Sequence, residues 1–112
     1  MSDLPNSPGA TLLLIDDDPN LILLVRDYLE FRGYTILTAA NGTEGLKILE
    51  TATPQLIICD VMMPEMDGYT FIQTVRQNPE INWIPVIFLS AKGQTQDRIK
   101  GLNHGADVYI TK

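Results

Sequence analysis

Acidic, hydroxyl and basic side chains follow four apolar segments of this sequence, at the point where each segment ends. These residues are Asp16, Asp17 and Asp18 after the first segment, then Asp60, Ser90 and Lys112 after the others. Adjacent carboxylates repel one another, and the repulsion costs free energy unless a cation lies among them. Carboxylate oxygens are ligands that Mg²⁺ accepts, usually together with water and phosphate. The acidic residues therefore predict a site for a hard divalent cation, Mg²⁺ or Mn²⁺.

The remaining residue types indicate phosphate chemistry at the same site. A lysine ammonium and a serine hydroxyl can both hold phosphate oxygens. A carboxylate can itself be the nucleophile, which gives an aspartyl phosphate. Together these side chains have the groups needed to transfer a phosphoryl group to an aspartate.

The segments that position these residues alternate between two patterns. Short apolar runs at 12–15, 34–38, 56–59, 86–89 and 108–111 predict buried strands. Between them, segments beginning at Pro19 and covering 43–51, 69–77 and 95–104 predict helices. This alternation predicts an α/β fold with a parallel sheet covered by helices on both faces. Because ligands bind at the carboxyl ends of such strands, the polar residues should gather at one edge.

The first helix has the clearest boundaries and the clearest apolar face. Asp18 followed by Pro19 predicts a helix N-cap, and Gly33 predicts the end of the helix. Apolar residues recur at helical spacing and predict an amphipathic helix with one apolar face, formed by Leu21, Leu24, Val25, Tyr28 and Leu29.

The length, net charge and cysteine content of the sequence exclude several classes of protein. The 112 residues fit one domain, 11–112, after a polar tail at 1–10. The net charge of −6 argues against direct contact with nucleic acid or an anionic membrane surface. Cys59 is the only cysteine, so no intramolecular disulfide can form. With no membrane-spanning run and no signal peptide, the sequence predicts a cytoplasmic location.

Four motifs, in order and at their spacing, give a specific resemblance. They are LLIDDDP at 13–19, LIICDVMMPEMDG at 56–68, IPVIFLSA at 84–91 and GADVYITK at 105–112. The sequence resembles the receiver domain of two-component response regulators from about residue 11 to its last residue. The resemblance implies a doubly wound, flavodoxin-like sheet of five parallel strands in the order 2-1-3-4-5.

The resemblance also implies a role for each motif residue. Asp60 matches the phosphoacceptor, and Asp16, Asp17, Asp60 and the backbone carbonyl of Met62 match the metal ligands. Lys112, Ser90 and the backbone N–H of Ala91 match the phosphate-binding groups. Ser90 and Tyr109 match the pair that moves when the domain is phosphorylated. Asp18 matches no ligand and is better explained as a helix cap.

The expected function is that of a signalling switch in a phosphorelay. A sensor histidine kinase or a histidine phosphotransfer protein would donate the phosphoryl group to Asp60. The resulting change in conformation would regulate an output domain or a partner. The domain would assist its own phosphorylation and slow dephosphorylation but would not be a multiple-turnover enzyme.

Two other functional classes fit part of the pattern. Phosphatases with an aspartate nucleophile place a second carboxylate two residues later, where this sequence has Met62. A flavin-binding protein of the same topology would need a phosphate-binding first loop, and the three aspartates would repel that phosphate.

The carboxyl-terminal end raises a further expectation. Receiver domains usually continue past the matched lysine into a fifth helix, whereas this sequence ends at Lys112. The sequence therefore predicts a truncated receiver domain without that helix. The sheet face formed by the third, fourth and fifth strands would lie open, and self-association into a homodimer or lower stability would follow.

Overall fold

The computed structural model describes residues 9–90 and 95–111, without the side chains at 95, 96 and 98. The predicted site residues Ala91 and Lys112, and residues 1–8 of the predicted tail, lie outside this part. The strands are β1 Thr11–Ile15, β2 Thr35–Ala39, β3 Leu56–Cys59, β4 Val86–Ser90 and β5 Val108–Thr111. The helices are α1 Pro19–Phe31, α2 Gly42–Leu49, α3 Gly68–Gln77 and α4 Thr95–Asn103.

The strands form one parallel sheet in the order β2-β1-β3-β4-β5, which confirms the predicted topology. Predicted and observed boundaries differ by one or two residues, as at β2, which begins at Thr35 rather than Tyr34. Right-handed crossovers place α1 on one face of this sheet and α2, α3 and α4 on the other.

Helix α1 begins and ends where the sequence predicts. The Asp18 side chain accepts hydrogen bonds from the amides of Asn20, at 3.0 Å, and Leu21, at 3.3 Å, so Asp18 is the N-cap. Gly33 has a φ of 97°, a conformation that glycine adopts without strain. None of the helices in residues 9–90 and 95–111 is long and apolar enough to cross a membrane.

Each face of the sheet has its own apolar core, because alternate strand residues point to opposite faces. The larger core lies under α2, α3 and α4 and includes Leu13, Ile15, Phe71 and Phe88. The smaller core lies under α1 and consists of Leu12, Leu14, Leu29, Leu56, Ile58 and Ile87, with partly buried neighbours.

The predicted apolar face of α1 is only partly buried. Leu29 is buried, and Val25 packs against the core, but Leu24 is 70% exposed and Tyr28 is 53% exposed. These two side chains border an apolar groove of about 330 Å³ beside α1. The remaining lining residues are Val25, Leu29, Ile58, Ile87, Leu89 and Ile110. Helical periodicity defined the apolar stripe correctly, but the stripe is wider than the part of α1 that the sheet covers.

One arginine joins α3 to the start of β4 and β5. The Arg76 guanidinium donates hydrogen bonds to three backbone carbonyls, those of Asn82, Ile84 and Gly105, at 2.7–3.0 Å. It also forms an ion pair with Asp107 at 2.9 Å. The Asp107 carboxylate in turn accepts a hydrogen bond from the amide of Val86 at 2.8 Å. Arg76 therefore fixes the α4–β5 turn against α3 and the first residue of β4.

We expect Arg76→Met to lower the free energy of unfolding by about 2–3 kcal/mol, because charge-assisted hydrogen bonds to partly buried carbonyls are lost. Arg76→Lys should recover only part of the lost stability, since an ammonium cannot reproduce the planar arrangement of N–H donors in a guanidinium. Arg32→Met, at an exposed arginine, is the control and should change stability by no more than about 0.5 kcal/mol. Urea unfolding measures the free energy of unfolding of all three variants. If Arg76→Lys were as stable as the wild type, the hydrogen bonds of the guanidinium would not be the source of the stability.

Candidate functional site

An acidic cluster lies at the carboxyl edge of the sheet, where β1 and β3 end side by side. Ile15 pairs with Cys59 in the parallel ladder, so Asp16 and Asp60 leave the sheet next to each other. One carboxylate oxygen each from Asp16, Asp17 and Asp60 lies within 4.8 Å of the other two. The structure thus brings together the three predicted acidic ligands.

The three carboxylates differ in environment. Asp16 is only 2% exposed and Asp60 only 6%, whereas Asp17 faces solvent. The amide of Asp18 donates to Asp16 Oδ1 at 2.9 Å, and the amide of Met62 donates to Asp60 Oδ1 at 3.3 Å. Backbone amides therefore orient both buried carboxylates, and Asp17 supplies the solvent-facing side of the cluster.

The chemistry of this donor set fits Mg²⁺. All three groups are carboxylate oxygens, the hard ligands that Mg²⁺ prefers, and the open side leaves room for water or phosphate. Two buried negative charges and a third nearby repel one another, which a divalent cation would relieve. Asp18 does not join the cluster because its carboxylate caps α1, which confirms its predicted role.

Ser90 and Tyr109 lie on the neighbouring strands β4 and β5. Ser90 is fully buried at the end of β4 and pairs with Thr111. The Tyr109 ring is buried against Phe88, edge-on, with 6.1 Å between ring centroids. The phosphate-binding and switching roles predicted for these two residues remain predictions.

Met62 and Cys59, which lie close to Asp60 in the sequence, differ in exposure. The Met62 side chain is exposed, and its backbone carbonyl as a metal ligand stays a prediction. Cys59 is fully buried, and burial, followed by the charges of Asp60, Asp16 and Asp67, raises the pKa of its thiol well above the ordinary value. The neutral thiol therefore packs as an apolar side chain, as the sequence suggested.

A glycine that the sequence interpretation did not single out lies directly against the phosphoacceptor candidate. A Cβ at Gly68 would lie 2.5 Å from the carbonyl oxygen of Asp60 and 2.9 Å from Cα of Val61. The Gly68 amide donates to the Val61 carbonyl at 2.8 Å. Because Gly68 has no side chain, the first turn of α3 can pack directly against the backbone of Asp60. The sequence signal that could have identified Gly68 is its position at the end of the motif at 56–68.

A parallel sheet of order β2-β1-β3-β4-β5 with an acidic cluster at the ends of β1 and β3 defines a class, the flavodoxin-like receiver domains. The chain belongs to the response regulator receiver domain family, which matches residues 12–112. It is therefore a receiver domain of two-component signalling. Domains of this family interact with histidine kinases and bind Mg²⁺ at an acidic pocket.

Curated relatives support this assignment. The chain is 42% identical to the response regulator Rre1 of Synechocystis sp. over 103 residues, which cover 91% of the chain and 45% of that protein. It is 43% identical over 101 residues to the DNA-binding dual master transcriptional regulator RpaA of the same organism, covering 90% of the chain and 42% of that protein. The chain thus spans less than half the length of these two relatives.

Solved structures have the same fold over nearly the whole chain. A putative response regulator from Chloroflexus aurantiacus matches with a TM-score of 0.88 and 36% identity, over 93% of this chain and 85% of that one. The receiver domain of a histidine kinase from Syntrophus aciditrophicus matches with a TM-score of 0.86 and 36% identity, over 93% and 79%. The chemotaxis response regulator CheY4 of Vibrio cholerae matches with a TM-score of 0.88 and 31% identity, over 93% and 87%.

We expect Gly68→Ala to destabilise the domain by about 1–3 kcal/mol, because its Cβ meets backbone atoms that cannot move aside cheaply. Gly42→Ala is a matched control, since Gly42 is also the first residue of a helix but its Cβ would meet only the flexible side chain of Met66. Thermal or urea unfolding compares the two. Equal effects of the two substitutions would show that the contact with Asp60 is not the cause.

Proposed function

We propose that Asp60 accepts a phosphoryl group from a phosphohistidine, on a sensor histidine kinase or a histidine phosphotransfer protein. The observation that carries this proposal is the buried Asp60 carboxylate with carboxylate oxygens of Asp16 and Asp17 within 4.8 Å. A nucleophilic carboxylate held beside a cation site has the arrangement that phosphoryl transfer requires.

In the proposed reaction, an oxygen of Asp60 attacks the phosphorus while the bond from phosphorus to the histidine nitrogen breaks. The histidine nitrogen keeps the bonding electron pair, and the product is an aspartyl phosphate. The Met62 amide holds the Asp60 carboxylate in one orientation. Asp16, Asp17, Asp60 and the carbonyl of Met62 would hold Mg²⁺ or Mn²⁺, which when bound neutralises charge on the phosphoryl oxygens.

Other predicted residues would act on the phosphoryl group after transfer. Lys112 and the backbone N–H of Ala91 would donate to its oxygens, and the buried hydroxyl of Ser90 would do so on moving toward it. Tyr109 would move together with Ser90. The charge of the aspartyl phosphate would then favour a second arrangement of these groups.

A switch fits the site better than a phosphatase. Rapid hydrolysis by an aspartate nucleophile needs an acid or base beside it, and the residue two positions after Asp60 is Met62, which cannot transfer a proton. The proposed role is therefore a phosphoacceptor with slow self-dephosphorylation. We further propose that it acts in the cytoplasm, and that its net charge of −6 keeps this domain from binding nucleic acid itself.

We expect acetyl phosphate with Mg²⁺ to phosphorylate the domain and Asp60→Asn to abolish the labelling. Asp18→Asn should label normally, because Asp18 caps α1 and is not in the cluster. Asp17→Asn should need at least about ten-fold more Mg²⁺, since losing a direct ligand should cost no less than losing an outer-shell partner. Phosphate incorporation measured by intact-protein mass reads out each variant. Full labelling of Asp60→Asn would exclude Asp60 as the acceptor.

We also propose that the chain self-associates through the apolar groove beside α1. Leu24 and Tyr28 on its border are both more than half exposed, and the rest of its lining is aliphatic. Water-exposed apolar surface of this kind is seldom left uncovered in a folded protein. A second copy that presents the same surface would bury both grooves in one symmetric contact.

Sedimentation velocity at increasing protein concentration tests the self-association. We expect wild-type protein to form dimers and Leu24→Glu to shift it to monomers, because the charge would be buried in the contact. Leu23→Glu is the control, since Leu23 is also on the surface of α1 but does not line the groove. A wild-type monomer at all concentrations would exclude the contact.

A further inference from the structure

β5 is an edge strand of the sheet and pairs with β4. The two strands pair over four residues, and the last pair is Ser90 with Thr111. Ser90 is fully buried and is one of the proposed phosphate ligands. Lys112, another proposed phosphate ligand, directly follows Thr111 in the sequence. The position of β5 beside β4 therefore sets the point at which the chain reaches Lys112.

Asp107 joins β4 and β5 at the ends opposite to the acidic cluster. Its amide donates to the Val86 carbonyl at 2.9 Å, and its carboxylate accepts a hydrogen bond from the Val86 amide at 2.8 Å. Val86 is the first residue of β4, and Asp107 directly precedes β5. Asp107 therefore aligns the two strands at the point where they begin.

Arg76 holds Asp107 and binds the segments that lead into both strands. Its guanidinium contacts the Asp107 carboxylate at 2.9 Å and donates to the Gly105 carbonyl from Nε at 3.0 Å and from the second Nη at 2.9 Å. It also donates to the carbonyls of Asn82, at 3.0 Å, and Ile84, at 2.7 Å. Only 24% of the Arg76 side chain is exposed, so these bonds are partly shielded from water. One side chain thus connects the segment entering β4 with the segment entering β5.

The acidic cluster is supported by other contacts. Asp16 and Asp60 follow β1 and β3, which pair directly with each other. The Asp60 amide donates to the Ile15 carbonyl at 2.9 Å, which joins these two strands at the cluster itself. The guanidinium bonds of Arg76 within residues 9–90 and 95–111 all go to residues between 82 and 107. Loss of Arg76 should therefore disturb the end of β5 and leave the cation ligands in place.

We propose that Arg76 is a positioning residue for phosphoryl transfer to Asp60. It fixes β5 where the strand begins, and the groups that bind phosphoryl oxygens where the strand ends depend on that position. A misplacement of about 1 Å, even from a substitution distant from the reacting atoms, can slow a reaction by about 100-fold. This inference rests on the proposed function for the reaction, whereas the effect of Arg76 on β5 does not depend on it.

The rate of Asp60 phosphorylation by acetyl phosphate tests the proposal. At saturating Mg²⁺, we expect Arg76→Met to label at least about ten-fold more slowly than the wild type, because the phosphate ligands are misplaced. Arg76→Lys should label at an intermediate rate, since an ammonium makes fewer of these bonds. Arg32→Met, at an exposed arginine, should label at the wild-type rate. Mg²⁺ affinity, measured by calorimetry without acetyl phosphate, should change by less than about two-fold in all three variants, because the acidic cluster is distant from both arginines.

A further variant separates positioning from loss of stability. Leu49→Ala removes buried apolar surface at the last residue of α2, which packs chiefly against α3, β1 and β2. It should raise the unfolding equilibrium constant at least as much as Arg76→Lys does. At a temperature at which every variant is folded, it should still label at the wild-type rate. Equal slowing by Leu49→Ala and Arg76→Lys would overturn the proposal, because loss of stability would then explain both.

Amide hydrogen exchange tests the effect on β5 without phosphorylation. Compared with Leu49→Ala, Arg76→Met should exchange faster at the amides of residues 108–111, because the strand is no longer fixed where it begins. The amide of Asp60, which bonds to the Ile15 carbonyl, should not differ between the two variants in this way.

The two measurements separate this inference from the proposed function. If the wild type is not labelled at Asp60, the proposed function is wrong, and exchange at residues 108–111 alone decides whether Arg76 fixes β5. If the wild type is labelled and Arg76→Met labels at the same rate, Arg76 does not position the phosphate ligands, and the proposal is wrong.

Discussion

Three carboxylates whose oxygens lie within 4.8 Å of one another repel, and much of the fold holds them in place against that repulsion. The parallel pairing of β1 with β3 sets Asp16 beside Asp60, and burial in the sheet keeps both from moving apart. The close approach of α3 at Gly68 fixes the Asp60 backbone from the other side. The close approach of these carboxylates thus costs free energy in the metal-free domain, and a divalent cation bound among them would lower that cost.

The same sheet supports two faces of unequal coverage. Under α2, α3 and α4, aromatic and aliphatic side chains form the larger core, and this core fixes the backbone of the site. Helix α1 leaves part of the opposite face as an apolar groove. The groove is lined by residues of β3, β4 and β5. Asp60 follows β3, and β4 and β5 carry Ser90 and Tyr109. A molecule that covers the groove would therefore pack against the strands that position the proposed switch residues.

Sequence could predict the elements and the site, but not the contacts that tie them together. The carboxyl ends of parallel strands meet at one edge, so Asp16, Asp17 and Asp60 were expected together, and Asp18 followed from helix-capping chemistry. Periodicity predicted the apolar face of α1, but it does not report how much of that face the sheet covers. Arg76 was missed because it acts through residues distant in sequence. Gly68 was missed because the sequence does not show which backbone atoms approach it.

The edge strand β5 is fixed by contacts with residues that are far away in the sequence. At one end of β5, Arg76 and Asp107 satisfy backbone groups of three segments, so β5 shifts only at the expense of several hydrogen bonds. At its other end, β5 pairs with β4 through Thr111 and Ser90, so Arg76 and Asp107 fix the strand that places Thr111 beside Ser90.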